Sequence, residues 1–385
     1  GRLGSQPDSE YPYQSVFSTS EGYFLFDGTR YPTGINTPSL INPNLTWEKS
    51  TTKNLGFDFT FLQSRLTFTA DIFERKVTDI LIPGGKDYPA LIGDDDLPFE
   101  NAGILKTTGF ELQAKWSDKL ANGFRYSVGV ALSDDKAKVV SYPSNPTNKI
   151  GDGVLYKGYT VGDIWGYVTG GILQEGDFDG VGANGKPLYH GPYFKGGQAY
   201  PGYIWYQDLD HDGVITTGLN TVDDPGDRKV IGNNAPRYRY NITANFQYKG
   251  FDLDLMFQGV GKRDYWLSST SSYWGNGAGS WEVYNNSWTP ERTDAKFPMY
   301  GSGTGSYAQT GYLLDASYIK LKQVILGYTF PRALINKIGL EKLRLNLAAY
   351  NLFTISAMPK YYDADYLSDA YPPKRTFSVG IQVGF

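Results

Sequence analysis

Thr376-Phe-Ser-Val-Gly-Ile-Gln-Val-Gly-Phe385 alternates without a break: Phe377, Val379, Ile381, Val383 and Phe385 are apolar, while Thr376, Ser378, Gly380, Gln382 and Gly384 are polar or small. A β-strand turns successive side chains to opposite faces, so this stretch is a strand with one greasy face and one wet face, ending on an aromatic residue. Half-buried strands of soluble sandwiches alternate as well, so the weight of the pattern comes from its recurrence. It returns at Leu343 to Ala349, Phe251 to Phe257, Tyr238 to Tyr248, Phe124 to Leu132, Phe110 to Trp116, Leu66 to Ile72 and Leu55 to Phe61. Ser317 to Phe330 alternates too but slips phase near Lys322 and Gln323, which predicts a bulge. The sum is about nine strands of roughly ten residues, the length that crosses a bilayer at a barrel's tilt.

The connections separate a barrel from a sandwich. Gln63-Ser64, Ser117 to Gly123, Lys249-Gly250 and Pro331 to Glu341 are short, whereas the gaps at residues 78–106, 135–235, 264–316 and 354–373 are long, in strict alternation. An outer-membrane barrel has short periplasmic turns and long outer loops; with a periplasmic carboxy-terminus all four long gaps fall outside the cell. The polar set, including Asp58, Glu111, Lys115, Arg125, Arg239, Asn245, Asp252, Asp254 and Arg344, then faces the interior. Trp116, Tyr238, Tyr248, Tyr328 and Tyr350, near strand ends, suit interfacial girdles.

Composition agrees. The chain has 31 Tyr, 21 Phe, 8 Trp and 46 Gly against three Met and no Cys, a profile of strands and loops rather than packed helices. No stretch approaches the roughly 20 apolar residues of a membrane helix. The absence of cysteine excludes disulfides and thiol chemistry, and only His190 and His211 are available for a histidine metal site. With 36 basic and 40 acidic residues, formally −4, there is no nucleic-acid footprint. There is no G-x-S-x-G elbow or metalloprotease helix, so no enzyme is expected. Nine strands close only a narrow barrel, and the chain opens at Gly1 without a secretory signal, so the expectation is a barrel whose amino-terminal part lies elsewhere.

Certain phrases go further. Asn42-Pro-Asn-Leu-Thr-Trp-Glu48 leading into Asn54-Leu-Gly-Phe-Asp58, Glu100-Asn-Ala-Gly103 with Gly109-Phe-Glu-Leu112, Asp208-Leu-Asp-His-Asp-Gly-Val-Ile215 running to Asp227-Arg-Lys-Val-Ile-Gly232, Trp288-Thr-Pro-Glu291, Tyr318-Ile-Lys-Leu-Lys322 with Leu326-Gly-Tyr-Thr-Phe-Pro331, Asn351-Leu-Phe353 and Arg375-Thr-Phe-Ser-Val-Gly380 resemble, in order, the carboxy-terminal barrel of SusC-like TonB-dependent transporters. The resemblance implies an all-β transmembrane antiparallel barrel in the Gram-negative outer membrane, of which residues 1–385 supply about the last nine or ten of 22 strands. It further implies a plug and TonB box outside this chain, energy from the TonB complex, a SusD-like lipoprotein lid, and often a dimer of transporter–lid pairs. The expected function is import of oligomeric nutrients, glycans first and peptides as the alternative. Two competing readings are a non-transporting barrel scaffold and a secreted calcium-dependent carbohydrate-binding sandwich.

One constellation carries site chemistry. Asp208, Asp210 and Asp212 stand at alternate positions before Gly213 and Val214, the opening of an EF-hand-like loop in which three carboxylates, a glycine turn and the Val214 carbonyl converge on a hard cation. Position 12 of such a loop is Leu219 here, not an acid. In the resembling family the closing acid precedes a basic residue, which points to Asp227 before Arg228, with Asp224 as an extra ligand. A structural Ca²⁺ is therefore expected, against the bland reading of a solvated acidic turn. His211 is expected to be exposed, and Asp94-Asp95-Asp96 lacks the alternate spacing.

Among the loop aromatics, Trp165, Trp266, Trp274 and Trp281 are substrate-contact candidates, since aromatic faces beside polar groups stack on sugar rings; the competing reading is that they pack the loops together. Gly275 to Gly279 and Gly301 to Gly305 read as loop tips rather than phosphate cradles.

Overall fold

A computed structural model describes residues 2–5, 19–26, 29–35, 40–84, 97–266, 281–302, 307–360, 362–367 and 373–385. Ten strands form one antiparallel sheet: β1 (Arg2–Ser5), β2 (Glu48–Phe61), β3 (Leu66–Pro83), β4 (Phe99–Lys119), β5 (Arg125–Ser141), β6 (Arg237–Tyr248), β7 (Phe251–Lys262), β8 (Tyr318–Thr329), β9 (Lys342–Ser356) and β10 (Thr376–Gly384). Their order in space is their order in sequence, the up-and-down meander of a membrane barrel. A separate hairpin pairs Thr19–Phe26 with Thr29–Ile35.

The register keeps the two faces apart across the sheet. Residues directly opposite share a face, so Phe57↔Ala70, Ala70↔Leu112, Leu112↔Leu132, Leu132↔Tyr240, Leu255↔Val324, Val324↔Ala349 and Ala349↔Phe377 trace an apolar outer surface. Phe377, Val379 and Ile381 are 72%, 75% and 67% exposed, and Leu55, Phe59, Ile72 and Leu347 are exposed with them. A water-soluble sheet would bury such a face, whereas acyl chains can cover this one. All nine residues expected to face the interior lie on the opposite side.

The phase slip is where the sequence places it. On the β7 flank Phe257 meets Leu321 while Met256 meets Gln323, so Lys322 is the extra, bulged residue there; on the other flank Leu321 pairs with Phe353 and Gln323 with Tyr350, so Asn351 and Leu352 of β9 share the irregularity. The β6–β7 hairpin turns on Lys249 (φ 46°) and Gly250 (φ 87°), two left-handed residues in succession, the requirement of a type I′ turn. Strand lengths differ from the expected roughly ten residues: β3, β4 and β5 run 18, 21 and 17 residues. Regular alternation in the sequence marks only the part facing lipid; beyond it the ladder continues with polar and apolar residues mixed, such as Glu74 to Lys76 followed by Ile80 to Ile82, and the outer gap between β3 and β4 shrinks to residues 84–98.

The long outer connections fold on one another. Short ladders pair Asp163–Tyr167 with Arg228–Asn233 and Thr169–Ile172 with Ile204–Tyr206. Tyr167, Ile204, Tyr206, Ile215, Val283, Phe297 and Tyr312 form a buried cluster drawing on both the 142–236 and 281–316 segments. Thr169 N–H donates to Thr310 Oγ1 and Trp288 Nε1–H to Gln174 Oε1, at 3.1 and 2.9 Å, tying the two segments together. A second cluster, Val260, Ala316, Tyr318, Met358 and Ala364, seats the β9–β10 connection on the upper end of the sheet.

Candidate functional site

Successive pairings Asp71↔Glu111, Glu111↔Ser133, Ser133↔Arg239, Arg239↔Val260 and Val260↔Tyr318 set these residues in one row across six strands, on the polar face. They line a cleft of about 590 Å³, together with Thr69, Gln113, Asn241, Gln258, Arg263 and Asp365. Asp71 also accepts from Asn54 Nδ2 at 3.0 Å, and Arg239 is held by Asp135. Nearer the short turns, Arg344 on β9 reaches over Gly327 on β8 to Asp252 on β7; a Cβ at Gly327 would lie 2.4 Å from both partners, so this ion pair requires glycine there.

One wall of the cleft is an element sequence reasoning missed. Asp363 and Asp365, in the β9–β10 connection, fold onto the lysines of β8. Lys320 Nζ, 1% exposed, donates to both oxygens of Asp363 at 2.7 Å, and Lys322 Nζ lies 2.6 Å from Asp365 Oδ2. Tyr318 Oη donates to Asp365 Oδ1 at 2.5 Å. Burial raises the Asp365 carboxyl, but Lys322, Tyr318 and Lys320 outweigh it and hold it below the ordinary aspartate value. The signal was present in part: Lys320-Leu-Lys322 and Asp363-Ala-Asp365 have matching spacing, but nothing local pairs them.

The acidic loop is wound by its own carboxylates. Asp208 accepts from His211 N–H (2.7 Å) and Gly213 N–H (2.8 Å), Asp210 from Asp212 N–H (3.2 Å), and Asp212 from Val214 N–H (2.8 Å). Gly213, at φ 86°, makes the sharp turn, and Val214 pairs with Tyr193. Asp227, fully buried, closes the loop by accepting from Leu209 N–H and Thr216 N–H, each at 2.7 Å. One carboxylate oxygen from each of Asp208, Asp210 and Asp227 lies within 4.8 Å of the others. Asp212 and Asp224 do not join that group; Asp224 sits in its own turn, its N–H donating to Thr221 Oγ1. Burial raises the Asp208 carboxyl, but the Gly213 and His211 amides outweigh it and leave it below the ordinary value. At Asp210 the Asp212 amide lowers the carboxyl, yet desolvation and the charges of Asp227 and Asp212 leave it raised. His211 is exposed, at φ 62°.

The four tryptophans divide. Trp165 donates from Nε1 to Tyr156 Oη at 3.0 Å and packs against the Val139–Ile150 cluster, and Trp266 packs against the central loop cluster. Trp281 is 78% exposed and meets Tyr284 edge-on, which in turn meets Tyr300, giving an open aromatic surface. Trp274 and Asp94 to Asp96 lie outside the described residues.

The profile described as TonB dependent receptor-like, beta-barrel, matches residues 11–352. The chain is 27% identical over 401 residues to TonB-dependent receptor P3 of Formosa agariphila, covering 97% of this chain and 38% of that protein. It is 26% identical over 400 residues to TonB-dependent receptor SusC of Bacteroides thetaiotaomicron, covering 98% and 36%. Among solved structures it is similar to the RagAB peptide importer in the open-open state, with TM-score 0.74, 21% identity, and coverage of 100% of this chain and 39% of that one, a likeness of fold. The chain thus spans under two-fifths of the length of these relatives.

Proposed function

The chain belongs to the TonB-dependent receptor-like β-barrel family, and we propose that it forms the carboxy-terminal barrel wall of an importer for oligomeric nutrients, most of all glycans. It is a strand-built protein of the Gram-negative outer membrane, and its relatives are transporters rather than enzymes. The observation that carries the import reading is the register: ten strands keep an apolar side out and a charged, cleft-bearing side in.

On this reading TonB supplies the energy through parts of the protein other than this chain, and a SusD-like lipoprotein closes over the outer loops, with Trp281, Tyr284 and Tyr300 as an aromatic landing surface. Pairing of two transporter–lid units is part of the same proposal. Uptake of labelled oligosaccharides by a deletion strain tests it: loss of uptake for one glycan class supports import, and wild-type uptake of every glycan and peptide offered contradicts it. Loss confined to peptides would move the substrate to that class.

We also propose Ca²⁺ as a structural ion of the outer loop. Asp208, Asp210 and Asp227 present hard oxygen donors in one small space, and like charges so close are stabilised by a cation. Bound there, the ion would pin the loop that Asp227 already closes. Calorimetric titration of the intact protein with Ca²⁺ checks this, and absence of uptake contradicts it.

A further inference from the structure

Arg263 follows β7 directly and lines the cleft. Its Nε–H donates to the Asn234 carbonyl at 2.9 Å; among the described residues its terminal nitrogens make no hydrogen bond and it forms no ion pair. The carboxylate whose charge it feels, Asp365, is committed on both oxygens, to Tyr318 and to Lys322. The cleft's other guanidinium, Arg239, is taken by Asp135. Burial pulls the Arg263 pKa down, and the opposing charges of Tyr318, Tyr265 and Asp365 offset this only in part. A half-buried guanidinium whose terminal nitrogens are uncommitted among the described residues presents a planar fork, which matches a carboxylate in bidentate fashion. At the other end of the row Asp71 and Glu111 stand directly opposite each other, a like-charged cross-strand pair. Glu111 is two strands from Arg239, about 10 Å, so the cleft is polarised across its width.

We infer that Arg263 is an anion-recognition residue of the lumenal cleft, binding a carboxylate carried by the transported oligomer, while Asp71 and Glu111 repel that carboxylate and so fix which end of the cleft it enters. This rests on the import reading and deepens it: the oligomer is acidic. A carboxylate can come from a uronic acid ring or from a peptide carboxy-terminus, and the same fork serves either. Unlike-charge attraction at one end with repulsion at the other discriminates more sharply than attraction alone.

The test is calorimetric binding to the intact purified transporter, using a short oligogalacturonate against its methyl ester, and a short peptide with a free carboxy-terminus against its amide. The wild-type protein should prefer the acid over the neutral form of one pair by about tenfold or more, the scale of one charge-assisted hydrogen-bonded contact. Arg263→Gln should bring that ratio close to one, Arg263→Lys should retain part of it, and Glu111→Gln should raise binding of the acid form. Heat-modifiable gel mobility confirms that each variant has folded. The pair that discriminates names the source of the carboxylate. Equal binding of acid and neutral forms by the wild type, or a ratio unchanged in Arg263→Gln, overturns the inference. Failure of the wild type to bind any oligomer, charged or neutral, instead overturns the import reading, and this inference falls with it.

Discussion

The ten-stranded sheet and the outer loop assembly are stabilised in opposite ways. The sheet leaves Phe377, Val379 and Leu347 bare and relies on lipid to cover them, whereas the loops bury Tyr206, Phe297 and Ile215 almost completely in a small protein-like core of their own. Tyr206 makes the contrast plain: burial pushes its hydroxyl far above the ordinary tyrosine range. One chain therefore obeys two solvents. Every ladder bond in the sheet joins sequence neighbours in the meander, while the loop core is closed by contacts such as Thr169 with Thr310.

The junction between the two regions should be the most sensitive place. Lys320→Met takes from Asp363 the ammonium that binds both its oxygens, and breaking such a buried pair costs about 3–5 kcal/mol. The expected result is a markedly lower unfolding midpoint in lipid vesicles, with much of the loss recovered in the Lys320→Met, Asp363→Leu double variant. A double variant as unstable as the single one would show that the ion pair does not join the regions as described.

Next in size is a contrast within one strand. Val379→Arg puts a cation against acyl chains and should destabilise by about 2–4 kcal/mol if it lies near the midplane, while Ser378→Arg, one residue away on the wet face, should cost far less. Denaturant titration of the intact barrel in vesicles measures both. Equal losses would erase the distinction between faces.

In the loop assembly, Asp227→Ala removes the acceptor of the Leu209 and Thr216 amides, a local loss of about 1–3 kcal/mol. Hydrogen exchange should quicken over residues 208–227 and stay slow in β6 to β10. Spread of the effect into the sheet would mean the two regions are not separately stabilised.

The smallest expected effect is the pH dependence of Ca²⁺ binding. Protons compete with the ion for carboxylates, and Asp210, raised above the ordinary aspartate value, takes its proton first as pH falls; Asp208, lowered, follows at more acidic pH. Affinity should therefore be full at neutral pH and decline on acidification, beginning above the ordinary aspartate range. Titrations at a series of pH values check this, and affinity that rises with acid contradicts it.

How much could be read in advance follows from the same contrast. A period of two, imposed by lipid on one side and water on the other, marks Phe251 to Phe257 or Phe377 to Phe385 residue by residue, and even the Lys322 bulge shows as a slipped phase. The extensions of β3 to β5 past the lipid carry no such constraint and were invisible. In the acidic loop the Asp208 to Gly213 turn is local and legible, but Asp227 lies 15 residues after Asp212, and only the family resemblance points to it. The strap formed by Asp363 and Asp365 depends on partners more than 40 residues away, which no local pattern announces.

The central claim, that β10 and its neighbours face acyl chains on one side and an aqueous interior on the other, has a direct test because the chain contains no cysteine. Single cysteines placed in turn at positions 376 to 384, labelled with an environment-sensitive fluorophore and reconstituted in bilayers of brominated lipid, should be quenched at Phe377, Val379, Ile381 and Val383 and spared at Ser378, Gly380 and Gln382. Uniform quenching, or protection of Val379 and Ile381 from lipid and water alike, would contradict the account.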